Sequence, residues 1–169
     1  VMKVGDPTDP ATVIGPMTSA AQQQRVLDYI GIGEAEGAKI LTGGSVPEGL
    51  STGWYVEPTV FGNVDNSMRI AREEIFGPVV CLIAFEDEAH AIAIANDSDL
   101  GLSGAVWTAD TARGIEVARQ IRTGTFSVNC QRFDVVGPFG GYKNSGVGRE
   151  FGPEGLAAYL EAKSIFLPA

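Results

Sequence analysis

Apolar residues at Val26, Tyr29 and Ile30, with Gly33 next on the same face, recur at three- and four-residue spacing. Thr18 and Ser19 stand ahead of them as N-caps, so the pattern predicts a helix over about 20–36, ended by Gly37. Residues 4–16 are punctuated by Gly, Asp and Pro, which is loop chemistry. A short strand is expected over 38–41, then a polar loop over 45–53, then extended pieces at 54–56 and 59–61 broken by Pro58. Residues 79–85 are almost continuously apolar, the pattern of a strand buried on both faces. Glu86 or Asp87 caps a helix over about 88–96 with an acidic first turn. Leu100-Gly101-Leu102 turns into a strand over 103–108, and a helix over about 110–122 is capped by Thr108 or Asp110. Ile115, Val117, Ala118 and Ile121 form its apolar face, Thr123-Gly124 stops it, and a strand over 125–129 follows. Strands alternating with helices predict βαβ units: an α/β chain with a largely parallel open sheet and helices on both faces.

The six glycines at 137, 140, 141, 146, 148 and 152 permit close backbone approach. No strand feeds directly into this stretch and no helix follows at once, so a tight packed loop is a better reading than a phosphate cradle. A short helix over 155–162 and an edge strand over 164–167 complete the elements.

The central stretch is Arg72-Glu73-Glu74-Ile75-Phe76-Gly77-Pro78-Val79-Val80. Pro78 lacks an N–H and excludes a helix, so Glu74 and Phe76 fall on a turn that feeds the apolar strand. Read as residues alone, this is a turn with two solvated acids and a core aromatic. Together with GDPTDPATVIGPM, YVEPTVF, NDSDLGLSGAVWT, Val128-Asn129, PFGGYKNSGVGREFG and GLAAYLEAKSI, however, EEIFGPVV resembles the NAD(P)-dependent aldehyde dehydrogenase superfamily, in that family's order along essentially the whole chain.

The resemblance carries several expectations. The motifs are those of the C-terminal part of the family's catalytic domain, which implies a partial catalytic domain over 1–162 and an oligomerisation strand over 163–169. The family's dinucleotide-binding half and its nucleophilic cysteine, in a Gly-Gln-x-Cys stretch, lie upstream of these motifs. The opening Val1-Met2-Lys3-Val4-Gly5 reads like mid-chain text, so a fragment that is inactive alone is expected. The cofactor implied is NAD or NADP, the substrate an aldehyde oxidised to a carboxylic acid, and the assembly a homo-oligomer. Glu74 takes the role of binding the nicotinamide ribose hydroxyls and Phe76 that of packing on the nicotinamide end. Gln22 either reaches the adenosine ribose or lies on an exposed helix face, and Glu73 is read as solvated. Phe133 and Phe139 are candidates to line the aldehyde tunnel. Glu150 either serves a proton path or pairs with Arg149 or Lys143. Arg132, in the tunnel-side loop, is expected to pair with Asp134 at the rim.

Composition narrows the classes. The net charge is −9 with 12 Lys+Arg and no basic run, which argues against nucleic acid and anionic membrane as partners. No apolar run reaches spanning length. Cys81 and Cys130 show neither metal-ligand spacing nor a disulfide framework, so no metal is expected and a reducing, cytoplasmic setting is the default. Two other classes stand beside the dehydrogenase: a non-enzymatic assembly module, and a hydrolase using Cys130 with His90, which lies on an acidic, solvent-facing helix.

Overall fold

The Ser19 side chain accepts from the Gln22 backbone N–H at 3.2 Å and starts helix α1, Ala20–Ala35. In the computed structural model, which describes residues 2–168, strand β1 (Lys39–Thr42) follows, then β2 (Thr59–Gly62), a short helix α2 (Arg69–Arg72) and β3 (Val79–Cys81). Next come α3 (Glu88–Asn96), β4 (Leu100–Gly101), β5 (Ser103–Val106), α4 (Thr111–Gln120), β6 (Thr125–Val128), β7 (Tyr142–Lys143) and α5 (Gly152–Ala157). Asp87 and Asp110 cap α3 and α4 through the N–H groups of His90 and Arg113. These caps arise where an acceptor side chain precedes an apolar period; capping is local, so the sequence narrowed each to two nearby residues, and the structure selects Asp87 over Glu86 and Asp110 over Thr108.

The chain divides into two compact units, the boundary falling between Glu86 and Asp87. The first holds a three-stranded sheet in the order β1-β2-β3, with β1 antiparallel to β2 and β2 parallel to β3. Its core gathers Val26, Ile30, Val56, Phe61, Val64, Ile70 and Ile75, with Val26 and Phe61 fully buried. In the second unit β5 and α4 lead to β6, which runs parallel to β5, giving a βαβ unit. There β4 pairs antiparallel with β7. The α/β class and open sheets hold; the sheets themselves are small and of mixed direction.

Three local expectations are corrected. The apolar run 79–85 forms a ladder only over Val79–Cys81, and Val80 and Leu82 are exposed while Val79, Cys81 and Ile83 are half-buried. Among the described residues β3 has a neighbour on one side only, so one face and one edge remain uncovered. The last helix is Gly152–Ala157 rather than 155–162. Residues 164–167 carry no strand, because no partner strand is present among the described residues to complete their hydrogen bonds.

Among the described residues of the second unit the buried ones are Gly101, Gly114, Gly141 and Gly155. This unit therefore consolidates by close backbone approach rather than around a side-chain core. The glycine-rich loop shows how: Asn144 N donates to Asp99 O at 2.9 Å, and Gly101 N donates to Ser145 Oγ at 2.9 Å. No helix among the described residues is long and apolar enough to cross a membrane.

Candidate functional site

In the first unit, residues 73–77 run antiparallel along one face of α1. Gln22, Arg25 and Tyr29 lie at i, i+3 and i+7, positions that share a helix face. Gln22 Nε2 donates to the Phe76 carbonyl at 2.7 Å, Arg25 Nη2 to the Glu74 carbonyl at 2.8 Å, and Tyr29 OH to Glu73 Oε2 at 2.7 Å. Gly77 completes the approach, lying against the fully buried Val26.

The backbone of this turn is thus held while two side chains face outward. Phe76 has φ of 60° and is 73% exposed. A left-handed conformation at a non-glycine residue costs on the order of 1 kcal/mol or more and persists only where the surroundings impose it. Glu74 is exposed, and its carboxylate has no partner among the described residues. A free carboxylate beside an exposed aromatic face can accept from a vicinal diol and pack against a flat heteroaromatic ring. An open depression of about 400 Å³ adjoins them, lined by Glu73, Glu74, Phe76, Gly77, Cys81 and Ile83 among others.

Gln22, Glu74 and Phe76 are therefore brought together. One N–H of the Gln22 amide, however, is engaged by the protein itself, which leaves its oxygen and its second N–H for a ligand. Glu73 differs from the expectation of a solvated acid. It accepts from Arg69 Nε at 3.1 Å and Nη2 at 2.9 Å as well as from Tyr29. Those bonds, Arg69's foremost and then Tyr29's, hold its carboxyl down to about 2. The same bond to Glu73 raises the Tyr29 phenol, whose ring has Arg25 4.9 Å and Arg69 5.8 Å from its centroid. Arg25 and Arg69 were not singled out in the sequence, and Tyr29 was read only as part of the apolar face of α1. The spacing of Gln22, Arg25 and Tyr29 was a visible signal, but nothing local shows what that face meets.

The second unit holds the other candidates. Phe139 and Glu150 exchange two backbone hydrogen bonds, each of 2.7 Å, in an isolated antiparallel bridge. The bridge sets Phe151 beside Phe139 and Phe133. The Phe133 ring meets Phe139 at 5.5 Å and Phe151 at 5.4 Å, both edge to face, and Phe139 lies 6.4 Å from Phe151. Phe151 is a member of this aromatic group that the sequence reading did not single out. Asn129, at φ 55°, holds the base of the loop: its Oδ1 accepts from Thr108 N at 2.7 Å and its Nδ2 donates to Thr108 O at 2.8 Å.

Glu150 itself is exposed. Lys143 Nζ donates to the carbonyls of Asn96 and Ser98, and Arg149 donates to those of Gly141 and Gly148, so neither cation is committed to Glu150. Arg132 Nη2 lies 3.6 Å from Asp134 Oδ2, both side chains exposed, as a rim pair would be. Cys81 and Cys130 are free thiols, and burial pushes the Cys81 thiol up. Among the described residues no group of three or more His, Cys, Asp or Glu is arranged to hold a metal ion.

A sequence model described as the aldehyde dehydrogenase family matches residues 1–165. The chain is 49% identical over 164 residues to a geranial dehydrogenase from Castellaniella defragrans, covering 97% of this chain and 34% of that protein. It is 50% identical over 169 residues to a betaine aldehyde dehydrogenase from Brucella ovis, covering 98% and 35%. Among solved structures it is similar to a Mycobacterium tuberculosis aldehyde dehydrogenase complexed with NAD+, at TM-score 0.97 and 54% identity over 99% of this chain and 35% of that one. It is also similar to aldehyde dehydrogenase C from Pseudomonas syringae with NAD+ and octanal, at TM-score 0.94 and 49% identity, covering 98% and 35%. The chain thus spans about a third of the length of the relatives it matches.

Proposed function

The chain belongs to the aldehyde dehydrogenase family, and we propose that it supplies the nicotinamide-ribose end of an NAD(P) site and part of an aldehyde passage. The enzyme in question oxidises an aldehyde to a carboxylic acid. The observation that carries this is the pinned turn at 73–77, which presents the unpartnered Glu74 carboxylate and the exposed Phe76 ring side by side. NAD+ or NADP+ would supply the hydride acceptor. The residues here orient it: Glu74 accepts from the ribose hydroxyls and Phe76 offers an apolar face to the nicotinamide. Phe133, Phe139 and Phe151 supply rigid apolar walls suited to an aldehyde. Glu150, held by its bridge to Phe139, is the candidate carrier on a proton path.

In the full-length enzyme containing this chain, Glu74→Gln should lower kcat/KM for NAD+ about ten- to a hundredfold, the cost of losing a charged acceptor. An unchanged value would overturn the assignment. The 169 residues alone should yield no NADH, since the relatives are about three times as long.

We further propose self-association through the C-terminal tail. Ile165, Phe166 and Leu167 are 76%, 92% and 83% exposed, an apolar segment whose backbone lacks a strand partner among the described residues. Removing residues 164–169 should shift sedimentation toward smaller species; an unchanged distribution would count against it.

A further inference from the structure

We infer that Tyr29 and Glu73 are positioning residues that set how Glu74 and Phe76 are presented. The inference rests on the cofactor-site reading above and deepens it. Within five residues the turn must hold Phe76 at φ 60° and leave the Glu74 carboxylate free. Such a backbone needs restraints on both sides of the strained residue. On the far side Gln22 holds the Phe76 carbonyl, and on the near side Arg25 holds that of Glu74. The third restraint differs in kind. Tyr29, only 8% exposed, grips the Glu73 side chain, and Arg69 grips the same carboxylate from α2.

Adjacent carboxylates are therefore divided between two tasks. Glu73 is neutralised by Arg69 and turned back onto α1, while Glu74 keeps its charge available. The division also explains why both positions are acidic without either repelling the other from the site. Tyr29 is well suited to the task, since its ring is packed in the core and its hydroxyl is its one polar atom. Removing the hydroxyl leaves that packing in place.

The test uses the full-length enzyme that contains this chain. Tyr29→Phe should raise KM for NAD+ about three- to tenfold, the scale of one hydrogen bond. The KM for aldehyde and the thermal midpoint should stay near their original values, which a merely structural role would not preserve. Glu73→Leu, which removes the acceptor, should act in the same direction, and the double variant should be no worse than Glu73→Leu alone, because both changes break one link. A Tyr29→Phe enzyme with unchanged KM for NAD+ overturns the inference, as does full additivity of the pair. Glu74→Gln separates the two claims. If it weakens NAD+ while Tyr29→Phe does not, the positioning role fails and the cofactor site stands. If it has no effect, the cofactor reading itself fails.

Discussion

Gly124→Ala is expected to unfold the part of the chain that begins at Asp87. A Cβ at this position would lie 1.5 Å from the Gly140 carbonyl oxygen and 2.7 Å from its carbon. Both contacts are backbone, so no side-chain rotation relieves them. Gly124 donates to Gly101 O at 3.0 Å, and Thr125, the next residue, begins β6. Relief would separate the Phe139-Gly140 segment from the loop between α4 and β6, in a unit whose buried residues, among those described, are all glycines and offer no side-chain core to absorb the shift. The loss should exceed about 4 kcal/mol, in the tail that marks a specific steric mechanism. Gly137→Ala is the matched control: nothing lies within 4 Å of its Cβ, and its effect should stay within about 0.5 kcal/mol. Denaturation midpoints and limited proteolysis of the full-length protein would report both. A Gly124→Ala protein with the original midpoint and protease resistance would show that this approach is not required.

Gly77→Ala should damage stability and site together. The new methyl would sit 2.5 Å from Val26 Cγ2 and 2.9 Å from Cγ1. Val26 is fully buried, so the clash drives the turn away from α1 rather than the valine aside. The cost should be about 3 kcal/mol, at the upper end of overpacking penalties. Displacing the turn also lengthens the ties from Gln22 and Arg25 to the neighbouring carbonyls, so NAD+ affinity should fall at least tenfold, the equivalent of about 1.4 kcal/mol. Thermal unfolding and NAD+ titration of the full-length enzyme would measure the two. Loss of stability with intact NAD+ affinity would show that the turn's placement on α1 does not govern the site.

The first of these close approaches accounts for part of the glycine density at 137–152 that the sequence displayed without explaining. Gly140 and Gly141 are crowded by Gly124, Arg149 and Ser145, and the positive φ values of Gly146 and Gly148 fall in the loop beyond β7. The packed-loop reading named the kind of feature correctly. What it packs against, the Asp99–Gly101 segment, lies some forty residues away and was outside any local signal.

The helices α1, α3 and α4 and the βαβ alternation through β6 were legible in the sequence, each cap was narrowed to two nearby candidates, and the structure selects Ser19, Asp87 and Asp110. Each depends on side chains within a few residues of one another, and such interactions can be read from spacing. The sequence motifs also singled out Glu74 and Phe76. Which of two adjacent glutamates is free came from long-range contacts. Glu73 is taken by Tyr29, 44 positions earlier, and Gln22 reaches Phe76 across 54 positions. Tertiary contacts likewise decided that Phe151 joins Phe133 and Phe139, and that the apolar run after Pro78 is only half covered. These outcomes depend on which faces meet after long loops close, and that geometry has no counterpart in the local pattern of the chain.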